Sequence, residues 1–439
     1  QTVTQYYGVD GALADKGLYG QLKNFTDPNN ATTTMEYDVF GRKTKEILPD
    51  GTWTILSYNN FGSINSQNVR VDSSTGLWKA SYFDGLGRTI KVKSSGPDQK
   101  TIVNDTIYNA TGTVKQNSLP YFDGLETPRN MTYLYDPMGR VTRANSPDGT
   151  FTLACYNDGV TVKIDANGHL RREVRNALGR LVKVQEYTGS FSVCTTDEGT
   201  PYATTLYVYD AMGNLRFLPD AKVNQTEMRY DTLGRKYYMN DPDMGVWGYT
   251  YDATGNLETQ TDAKGQVITF TYYEQTRLKT KINGAQLVLT NTYDEVAAGY
   301  FNKGRLTKMT DLTGQVIYSY DNVGRVVNSA RTVSGVSYPQ FAYGYSNGRL
   351  SSITYPDSEV VNYSYDGGGN LSFAGTYATY SGFNALGQPA TVTFGNGVAT
   401  TYGYDTYNNR LRTIVTAKGG TPLLSLLYGY DGVGNIRRT

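Results

Sequence analysis

Aromatic residues recur two positions apart along much of the chain, with a polar or small residue between the two rings. A period of two places both rings of a pair on the same face of an extended strand. No segment shows the 3.6-residue period of a helix, so the pattern predicts short β-strands. The nine pairs are Tyr133/Tyr135, Tyr207/Tyr209, Tyr249/Tyr251, Phe270/Tyr272, Tyr318/Tyr320, Tyr343/Tyr345, Tyr363/Tyr365, Tyr402/Tyr404 and Tyr428/Tyr430.

Turn residues separate these strands at regular distances. In residues 135 to 156, Asp136 can accept backbone N–H groups, Pro137 presets the next dihedral angle, and Gly139 supplies the left-handed residue of a type I turn with a bulge. A second turn follows at Pro147, and about seven residues lie between turns, enough for strands of roughly 23 Å. In YDTYNNR (404 to 410), Asn408 stands where glycine is expected. The chain is therefore predicted to fold as antiparallel hairpins.

The hairpin recurs as a repeat. Five tyrosines, from Tyr209 to Tyr293, follow one another every 21 residues, which is typical of a repeat protein. We predict that the recurring motif residues are structural. They are Tyr37, Asp38, Gly41, Arg42, Tyr135, Asp136, Gly139, Arg140, Tyr209, Asp210, Gly213, Tyr230, Asp231, Gly234, Arg235, Tyr251, Asp252, Gly255, Tyr320, Asp321, Gly324, Arg325, Tyr365, Asp366, Gly369, Tyr430, Asp431 and Gly434.

The repeats run through nearly the whole chain. Residues 1–34 match the motif poorly and are expected to form an atypical initial strand or a cap, whereas 35–439 form one continuous array. Insertions are expected near 65–130, 186–205 and 295–303. Roughly 20 units of two strands make a strip on the order of 200 Å long, and so long a sheet must curl. One closed circuit would be about 60 Å across, so the array is expected to supply one or two turns of a spiral wall.

Composition excludes several classes of partner. The net charge of +1, from 41 basic and 40 acidic residues, offers no polycationic face for nucleic acid. No apolar run approaches the roughly 20 residues that span a bilayer, and the first residues do not resemble a signal peptide. If the protein is exported, the signal lies outside this chain. The 39 tyrosines, with only 38% hydrophobic residues, indicate broad surfaces that are partly exposed to solvent instead of one large hydrophobic core.

The strings YDVFGRK (37 to 43), YDPMGRV (135 to 141), YDNVGRV (320 to 326) and YDGVGNI (430 to 436), alternating with P-D-G turns, resemble the YD repeat of the bacterial RHS family. This repeat is shared with the B and C subunits of insecticidal Tc toxins and with animal teneurins. The resemblance covers approximately residues 35 to 436. It implies an all-β fold: a YD-repeat spiral of antiparallel β-hairpins forming a curved wall, tube or partial hollow shell.

The resemblance also implies a function. In bacterial members the shell encloses a C-terminal toxin fragment and keeps it unfolded or inactive until delivery. The plug segment with its aspartate-dependent self-cleavage, and the toxin, are not recognisable here, so we expect a segment of a longer, secreted or surface-exposed bacterial protein. Its expected partners are a polypeptide cargo or further repeats of the same chain, and exposed strand edges at both ends favour end-to-end association.

Candidate chemical groups are few. Cys155 and Cys194 are interpreted as unpaired strand thiols. His169 is the only histidine, which excludes a multi-histidine metal site, and a Cys155–His169 dyad is disfavoured because about one strand length, roughly 20 Å, separates the two residues.

Acidic pairs and arginines receive a structural interpretation. Asp241/Asp243 and Asp357/Glu359 fit turn chemistry better than acid–base catalysis or calcium binding. Arginines following the turn glycine are expected to form a ladder in which each faces the aspartate of the next unit. We therefore expect no catalytic residue, cofactor or metal. The leading hypothesis is a structural shell, the alternative is a surface module that binds glycans or proteins, and an enzyme ranks third.

Overall fold

Hairpin turns divide the chain into short antiparallel strands. The computed structural model describes residues 2–8, 19–194 and 199–439. Within these ranges the only helical element is a single 3-10 turn, Pro97–Gln99. The all-β prediction is confirmed.

The first sheet contains 18 strands. They are β1 Val3–Tyr6, β2 Leu22–Thr26, β3 Thr32–Tyr37, β4 Lys43–Ile47, β5 Trp53–Asn59, β6 Asn68–Ser73, β7 Trp78–Phe83, β8 Thr89–Ser95, β9 Thr101–Tyr108, β10 Val114–Ser118, β11 Tyr121–Phe122, β12 Asn130–Tyr135, β13 Val141–Asn145, β14 Phe151–Asn157, β15 Val160–Ile164, β16 Leu170–Arg175, β17 Leu181–Tyr187 and β18 Ala203–Leu206.

The second sheet contains 21 strands, and a pair of short strands follows it. They are β19 Val208–Tyr209, β20 Leu215–Pro219, β21 Gln225–Tyr230, β22 Lys236–Asp241, β23 Gly245–Tyr251, β24 Leu257–Thr261, β25 Val267–Tyr272, β26 Leu278–Asn283, β27 Gln286–Tyr293, β28 Leu306–Asp311, β29 Gly314–Tyr320, β30 Val326–Val333, β31 Val336–Ser346, β32 Arg349–Thr354, β33 Val360–Tyr365, β34 Leu371–Ala374, β35 Ala378–Ser381, β36 Thr391–Phe394, β37 Val398–Tyr404, β38 Leu411–Lys418, β39 Thr421–Leu427, β40 Gly429–Tyr430 and β41 Ile436–Arg438.

These sheets are consecutive parts of one strip. Each strand pairs with the next in antiparallel register, except that β9 pairs with both β10 and β11, and β10 continues to β12. Single residues interrupt the ladder between the sheets, but their N–H groups continue the pattern: Tyr207 N donates to Val182 O (2.9 Å), and Tyr428 N donates to Arg412 O (2.8 Å).

The strip is one layer thick along most of its length. The chain exposes 25128 Å² of surface, whereas a compact protein of its mass would expose about 17,000 Å². Most strand residues are half-buried on both faces, as in β5 and β8. A small apolar cluster forms where Val162, Ile164, Leu170 and Tyr187 pack together. The fold is therefore a wall without a central core.

This wall curls until its two edges meet. Residues between 260 and 280 positions apart in the chain are joined by side-chain hydrogen bonds. Between the joined turns at Asn29 and Lys303 lie β3 through β27. These about 25 strands, at about 4.8 Å each, make a circuit of about 120 Å, or a ring about 38 Å across. A single circuit of the whole strip would be about 60 Å across, and the ring is narrower because the strip makes more than one turn.

The remaining strands begin a second circuit. The strip therefore makes more than one turn and fewer than two, within the range predicted from sequence. Loops interrupt the hairpins between β17 and β18 and between β27 and β28. In the first 34 residues, β1 and β2 pair with each other and β2 pairs with β3. Parts of two predicted features, residues 9–18 of the initial segment and 195–198 of the insertion, lie outside the described residues.

The interpretation of the cysteines as unpaired thiols was wrong. Cys155 on β14 and Cys194 in the loop after β17 form a disulfide, with Cα atoms 6.2 Å apart. Phe191 N also donates to Gly168 O (2.8 Å), and Phe191 and Cys194 pack against the apolar cluster. The 39-residue separation hid the pairing, because hairpin folding brings the loop back across two intervening strands.

Candidate functional site: the repeat clamp and the seam between circuits

Each turn that carries the Tyr-Asp motif, here a YD turn, is built on its aspartate. Asp136 Oδ1 accepts the N–H groups of Met138 (2.9 Å) and Arg140 (2.9 Å). Asp136 N donates to Arg140 O, and the register shifts by one residue at Leu134/Tyr135, as expected for a type I turn with a bulge. The backbone N–H of Arg140, followed by its side chain, holds the pKa of Asp136 below its ordinary value.

The arginine after the glycine returns to the aspartate of its own turn. Arg140 Nε lies 2.7 Å from Asp136 Oδ2, and the same distance joins Arg235 to Asp231. The expected ladder, with each arginine facing the next unit's aspartate, is therefore wrong. Neighbouring YD turns are two strands, about 10 Å, apart, so the residue four positions earlier in the same turn lies nearer.

The arginine does contact the next unit, but through its tyrosine. Arg140 lies over the ring of Tyr156 at 4.3 Å from the centroid, and Tyr156 Oη donates to Val141 O (3.0 Å). A unit further along the chain repeats this geometry. Arg235 lies over the ring of Tyr251 (4.8 Å), and Tyr251 Oη donates to Lys236 O (2.7 Å). We call this combination of aspartate, arginine and following tyrosine the clamp; it joins each repeat to the next.

Asparagine replaces arginine in some clamps. Asn256 Nδ2 donates to Asp252 Oδ2 (2.9 Å), and this bond, followed by that of Thr254, lowers the pKa of Asp252 to about 2. Tyrosine rings stack on arginine more often than on another aromatic ring, as at Tyr156, Tyr251 and Tyr345. Within the described ranges there are five close ring pairs, such as Tyr273–Tyr293 at 5.6 Å. The arginine cation is attracted to the electron-rich face of the tyrosine ring, and a second aromatic ring carries no charge that could replace it.

The predicted motif residues occupy equivalent places in their turns. Arginines bond to the aspartate of their own turn in Asp38/Arg42, Asp136/Arg140, Asp231/Arg235 and Asp321/Arg325, and asparagines do so at Asp210, Asp252, Asp366 and Asp431. Positive φ angles occur at Gly41, Gly139, Gly213, Gly234, Gly255, Gly324, Gly369 and Gly434. The tyrosine hydroxyl groups donate to a carbonyl at the start of the neighbouring strand in six of these units: Tyr135, Tyr209, Tyr251, Tyr320, Tyr365 and Tyr430.

Three positions depart from this pattern. Tyr230 Oη donates to Met228 Sδ, and Tyr37 makes an edge contact with Tyr7. The turn after Tyr404 contains one extra residue, because Asp405 N donates to Arg410 O five positions later. Its left-handed residue is Asn409 (φ 57°), so the assignment to Asn408 was one position too early.

The strip has two edges of different chemistry. One edge carries the YD turns, and the other carries the P-D-G and related turns, here called return turns. The return edge of the first circuit meets the YD edge of the second along a line that we call the seam. Its hydrogen bonds join Asn29 to Lys303, Pro49 to Asn322, Asp50 to Arg325, Arg129 to Asn409, Asp148 to Asn408, and Asn167 to Asp431 and Gly432.

Charge strengthens the seam at one point. Arg325 donates to its own Asp321 (2.7 Å) and also to Asp50 across the seam (2.9 Å). Burial raises the pKa of Asp50, but hydrogen bonds from Thr52 and the Arg325 guanidinium outweigh it, so the pKa lies below its ordinary value. Both charged side chains are mostly buried, which makes this pair stronger than a surface ion pair.

Close backbone approach explains two seam glycines. A Cβ atom on Gly432 would lie 2.5 Å from Ala166 O, and one on Gly368 would lie 2.8 Å from Pro97 N. Neither glycine has a positive φ, so glycine is required here because the backbone of the opposite edge lies close, and not because of the turn conformation. The seam was not predicted from sequence, because the repeat motif does not distinguish a seam turn from any other YD turn: Gly432 in the seam and Gly85 outside it occupy the same motif position.

The remaining candidate groups lie in turns. His169 is largely exposed, and its Nδ1 lies 3.2 Å from Asp165 Oδ2. Asp241 Oδ1 accepts the N–H groups of Asp243 and Met244. Glu359 N donates to Asp357 Oδ1 (3.0 Å). Across the described ranges, no three His, Cys, Asp or Glu side chains gather as a metal site would require.

The architecture defines a class: a spiral wall of YD-type β-hairpins. Sequence comparison supports it, since the RHS repeat matches residues 19–52 and 383–421, and the teneurin YD-shell matches residues 243–373. Over these residues the chain is therefore similar to RHS and teneurin YD-shell repeats. No curated protein sequence matches the chain significantly. None of the helices in the described ranges has the length and apolar character needed to cross a membrane.

Solved structures share the fold. The chain superposes on the TcdB2–TccC3–Cdc42 crystal structure with a TM-score of 0.81 and 15% identity, and on TcdB2–TccC3 with 0.79 and 17%. A mutant Photorhabdus luminescens Tc holotoxin pore gives 0.78 and 15%. Each alignment covers 99% of this chain, which spans only 29%, 27% and 29% of the respective matched chains.

Proposed function

We propose that the chain is a wall segment of a shell that encloses or scaffolds a polypeptide, in a secreted or surface-exposed bacterial protein. The observation that carries this proposal is the seam, because it closes a single-layer strip into a ring. The large exposed surface supports a lumen, since a solid particle of this mass would expose about one third less. The shared fold with Tc toxin chains supports the same interpretation.

The dimensions favour an unfolded cargo. Subtracting about 10 Å for inward side chains from a ring about 38 Å across leaves a lumen of about 28 Å. An extended chain or a single helix, about 10 to 12 Å wide, passes through such a lumen. A folded domain of about 100 residues has a radius of gyration of about 13 Å and hence a diameter of about 34 Å. Confinement would therefore exclude the compact state of such a cargo.

The inner surface would hold a cargo weakly. The wall has a net charge of +1 and is rich in tyrosine, whose hydroxyl groups remain hydrated or bond to the backbone. Such a surface has neither a large apolar patch nor a strong field to stabilise one conformation of a guest. We further propose that the chain has no catalytic activity of its own and acts with the polypeptide that it surrounds.

Small-angle scattering together with a fused guest tests the proposal. The expected scattering profile is that of a hollow particle. A guest of about 100 residues fused after Thr439 should resist added protease and lack its native fluorescence signal. The control is the same fusion carrying Arg325→Ala and Asn322→Ala, which removes two seam contacts while retaining the hairpins. A solid particle, or a guest equally protected in both fusions, would contradict the proposal.

One observation favours the alternative of a binding module. A surface groove of about 720 Å³ is lined by Tyr82, Tyr108, Lys91, Asp105 and Gln116, among others. Aromatic rings beside amide and charged groups suit the stacking and hydrogen bonding of sugar rings. Glycan-array binding that is lost on Tyr108→Ala, together with a solid scattering profile, would favour this function over the shell.

A further inference from the structure

A short loop segment covers one face of the wall where the apolar cluster lies. The segment, residues 188–194, follows β17, and we call it the flap. Its Phe191 and Cys194 pack on the cluster, in which Ile164 and Leu170 are each only 2% exposed. Most strand residues elsewhere in the wall are half-buried. The flap therefore supplies a second layer that shields this cluster from water.

The flap also contacts a return turn of the seam. Phe191 N donates to Gly168 O (2.8 Å), and a Cβ atom on Gly168 would lie 2.6 Å from Ser190 Oγ. The same turn reaches the second circuit, because Asn167 Nδ2 donates to Asp431 Oδ2 (3.0 Å). This one turn therefore connects the flap to a YD turn of the second circuit.

Two other return turns make seam contacts without a covering segment beside their glycine. The turns 48–51 and 146–149 reach the second circuit through Asp50 and Asp148, which hold the same turn position as the seam asparagine described above. A Cβ atom on either of their glycines would have nothing within 4 Å, unlike one on Gly168. Support from the flap is thus a local feature of one seam contact.

Turn chemistry explains why this return turn depends on the flap. Pro49 and Pro147 fix the φ angle of the second residue in the two other turns. Ala166 occupies that place in the turn of Asn167, and alanine leaves φ free. The turn is therefore less rigid by itself, and its seam contact relies on the bond and the packing that the flap provides.

We propose that the Cys155–Cys194 disulfide is a redox-sensitive switch that couples the flap to the seam: its reduction releases the flap, loosens the turn at Asn167 and weakens contact with Asp431. The reductant is an external dithiol. Thiolate attack breaks the S–S bond, two electrons and two protons yield two cysteine thiols, and the dithiol becomes a disulfide. Both cysteines are half-buried and Val193 is 61% exposed, so a small thiol reaches the bond.

The switch would respond to the compartment that surrounds the wall. Disulfides persist in oxidising environments outside the cell, and thiol systems reduce them in the cytosol. Transfer between these environments would therefore weaken the seam at one defined place while the hairpins keep their own hydrogen bonds. This inference does not require a cargo in the lumen, so it can fail while the proposed shell function holds.

Hydrogen exchange with and without dithiothreitol tests the coupling. Gly432 N donates to Asn167 Oδ1 (2.8 Å), so exchange in the segment 429–438 reports directly on this seam contact. Reduction should speed exchange in the flap and, by at least about fivefold, in 429–438. Exchange at the seam turns of Arg325 and Asn408 should change by less than about twofold. The Cys155→Ser/Cys194→Ser variant should exchange like the reduced wild type, with or without dithiothreitol.

Asn167→Ala separates the coupling from general destabilisation. In this variant 429–438 should exchange rapidly at once, and dithiothreitol should accelerate only the flap. The matched control is Lys264→Ala, at the same position of the return turn 262–265, and it should keep the full response to dithiothreitol.

Four outcomes would overturn the proposal. They are a flap that responds without any change in 429–438, an equal response of 429–438 in Asn167→Ala, a uniform rise in exchange at all three seam positions, and exchange of 429–438 that is already complete in the oxidised wild type.

Discussion

Arg325 and Asp50 are 275 residues apart in the chain, yet Arg325 Nη2 donates to Asp50 Oδ2 at 2.9 Å. Arg325 also serves the clamp of its own turn, through Asp321. The arginine that recurs in the repeat binds the aspartate of its own turn, and at position 325 it also binds an aspartate of the other circuit. The same motif builds the wall and, at a few positions, joins its edges.

The seam contact at Arg325 can be separated from the clamp. Arg325→Ala should lower the free energy of unfolding by about 1.5 to 3 kcal/mol, because it leaves a mostly buried Asp50 carboxylate without its charged donor. The matched control is Arg140→Ala, which removes the same clamp from a YD turn of the first circuit. Urea denaturation checks the difference between the variants. Equal losses would show that the seam contributes nothing beyond the clamp.

Gly432 tests close packing at the seam. Gly432→Ala should destabilise the second circuit, because the new Cβ would lie 2.5 Å from Ala166 O. Gly85 occupies the same position in a YD turn of the first circuit, where the nearest atom to a Cβ is 3.7 Å away. Gly85→Ala should therefore be neutral or slightly stabilising, by up to about 1 kcal/mol. Hydrogen exchange at β40 and β41 reports the effect; equal exchange in both variants would refute it.

Turn glycines have a conformational role that is independent of the seam. Gly139 has a φ angle of 78° and an ordinary 3.8 Å contact beside its Cβ position. Gly139→Val should cost more than about 1 kcal/mol, since β-branched residues resist the left-handed region, whereas Gly139→Asn should cost less. Thermal unfolding of the two variants gives the comparison. Equal losses would mean that space, not backbone conformation, selects glycine here.

The pKa shifts of the clamp residues predict that the protein loses stability at both low and high pH. Hydrogen bonds from Asn256 and then Thr254 lower the pKa of Asp252 to about 2, from 3.8, so its contribution to stability is complete above pH 3.8 and disappears as the pH falls toward 2. Burial raises the pKa of Tyr251 above 10.0, so its contribution is complete below pH 10 and disappears above it. Urea midpoints should be constant between about pH 5 and 9. If the urea midpoint instead peaked near pH 7 and fell steeply on both sides, groups other than Asp252 and Tyr251 would control the pH dependence of stability.

The disulfide should anchor the loop after β17. In the chain-entropy account a 39-residue loop contributes about 3 to 4 kcal/mol. Reduction should lower the melting temperature and speed proteolysis between 188 and 202. The Cys155→Ser/Cys194→Ser double variant is the control, and it should melt like the reduced protein with or without reductant. If reductant changes neither melting nor proteolysis in the wild type, the loop is held by packing alone.

The local structure followed from sequence because it depends on neighbouring residues. Period-two aromatic positions define the strands, and Asp136 with Gly139 defines a bulged turn from interactions within five residues. Because the same turn motif recurs with a fixed period, an error in one predicted strand boundary did not shift the boundaries predicted for later strands. The shift from Asn408 to Asn409 arose where one extra residue broke that period.

Three features were decided only by tertiary structure. Arg140 at the start of β13 contacts Tyr156 on the neighbouring strand β14, so the identity of its second partner depends on strand pairing. The Cys155–Cys194 disulfide requires the loop to fold back over β15 and β16. The bond between Arg325 and Asp50 depends on the curvature accumulated over about 25 strands. The chain alone therefore determines the hairpin and its repetition, whereas twist summed over the whole strip decides where the edges meet and which glycines face a backbone.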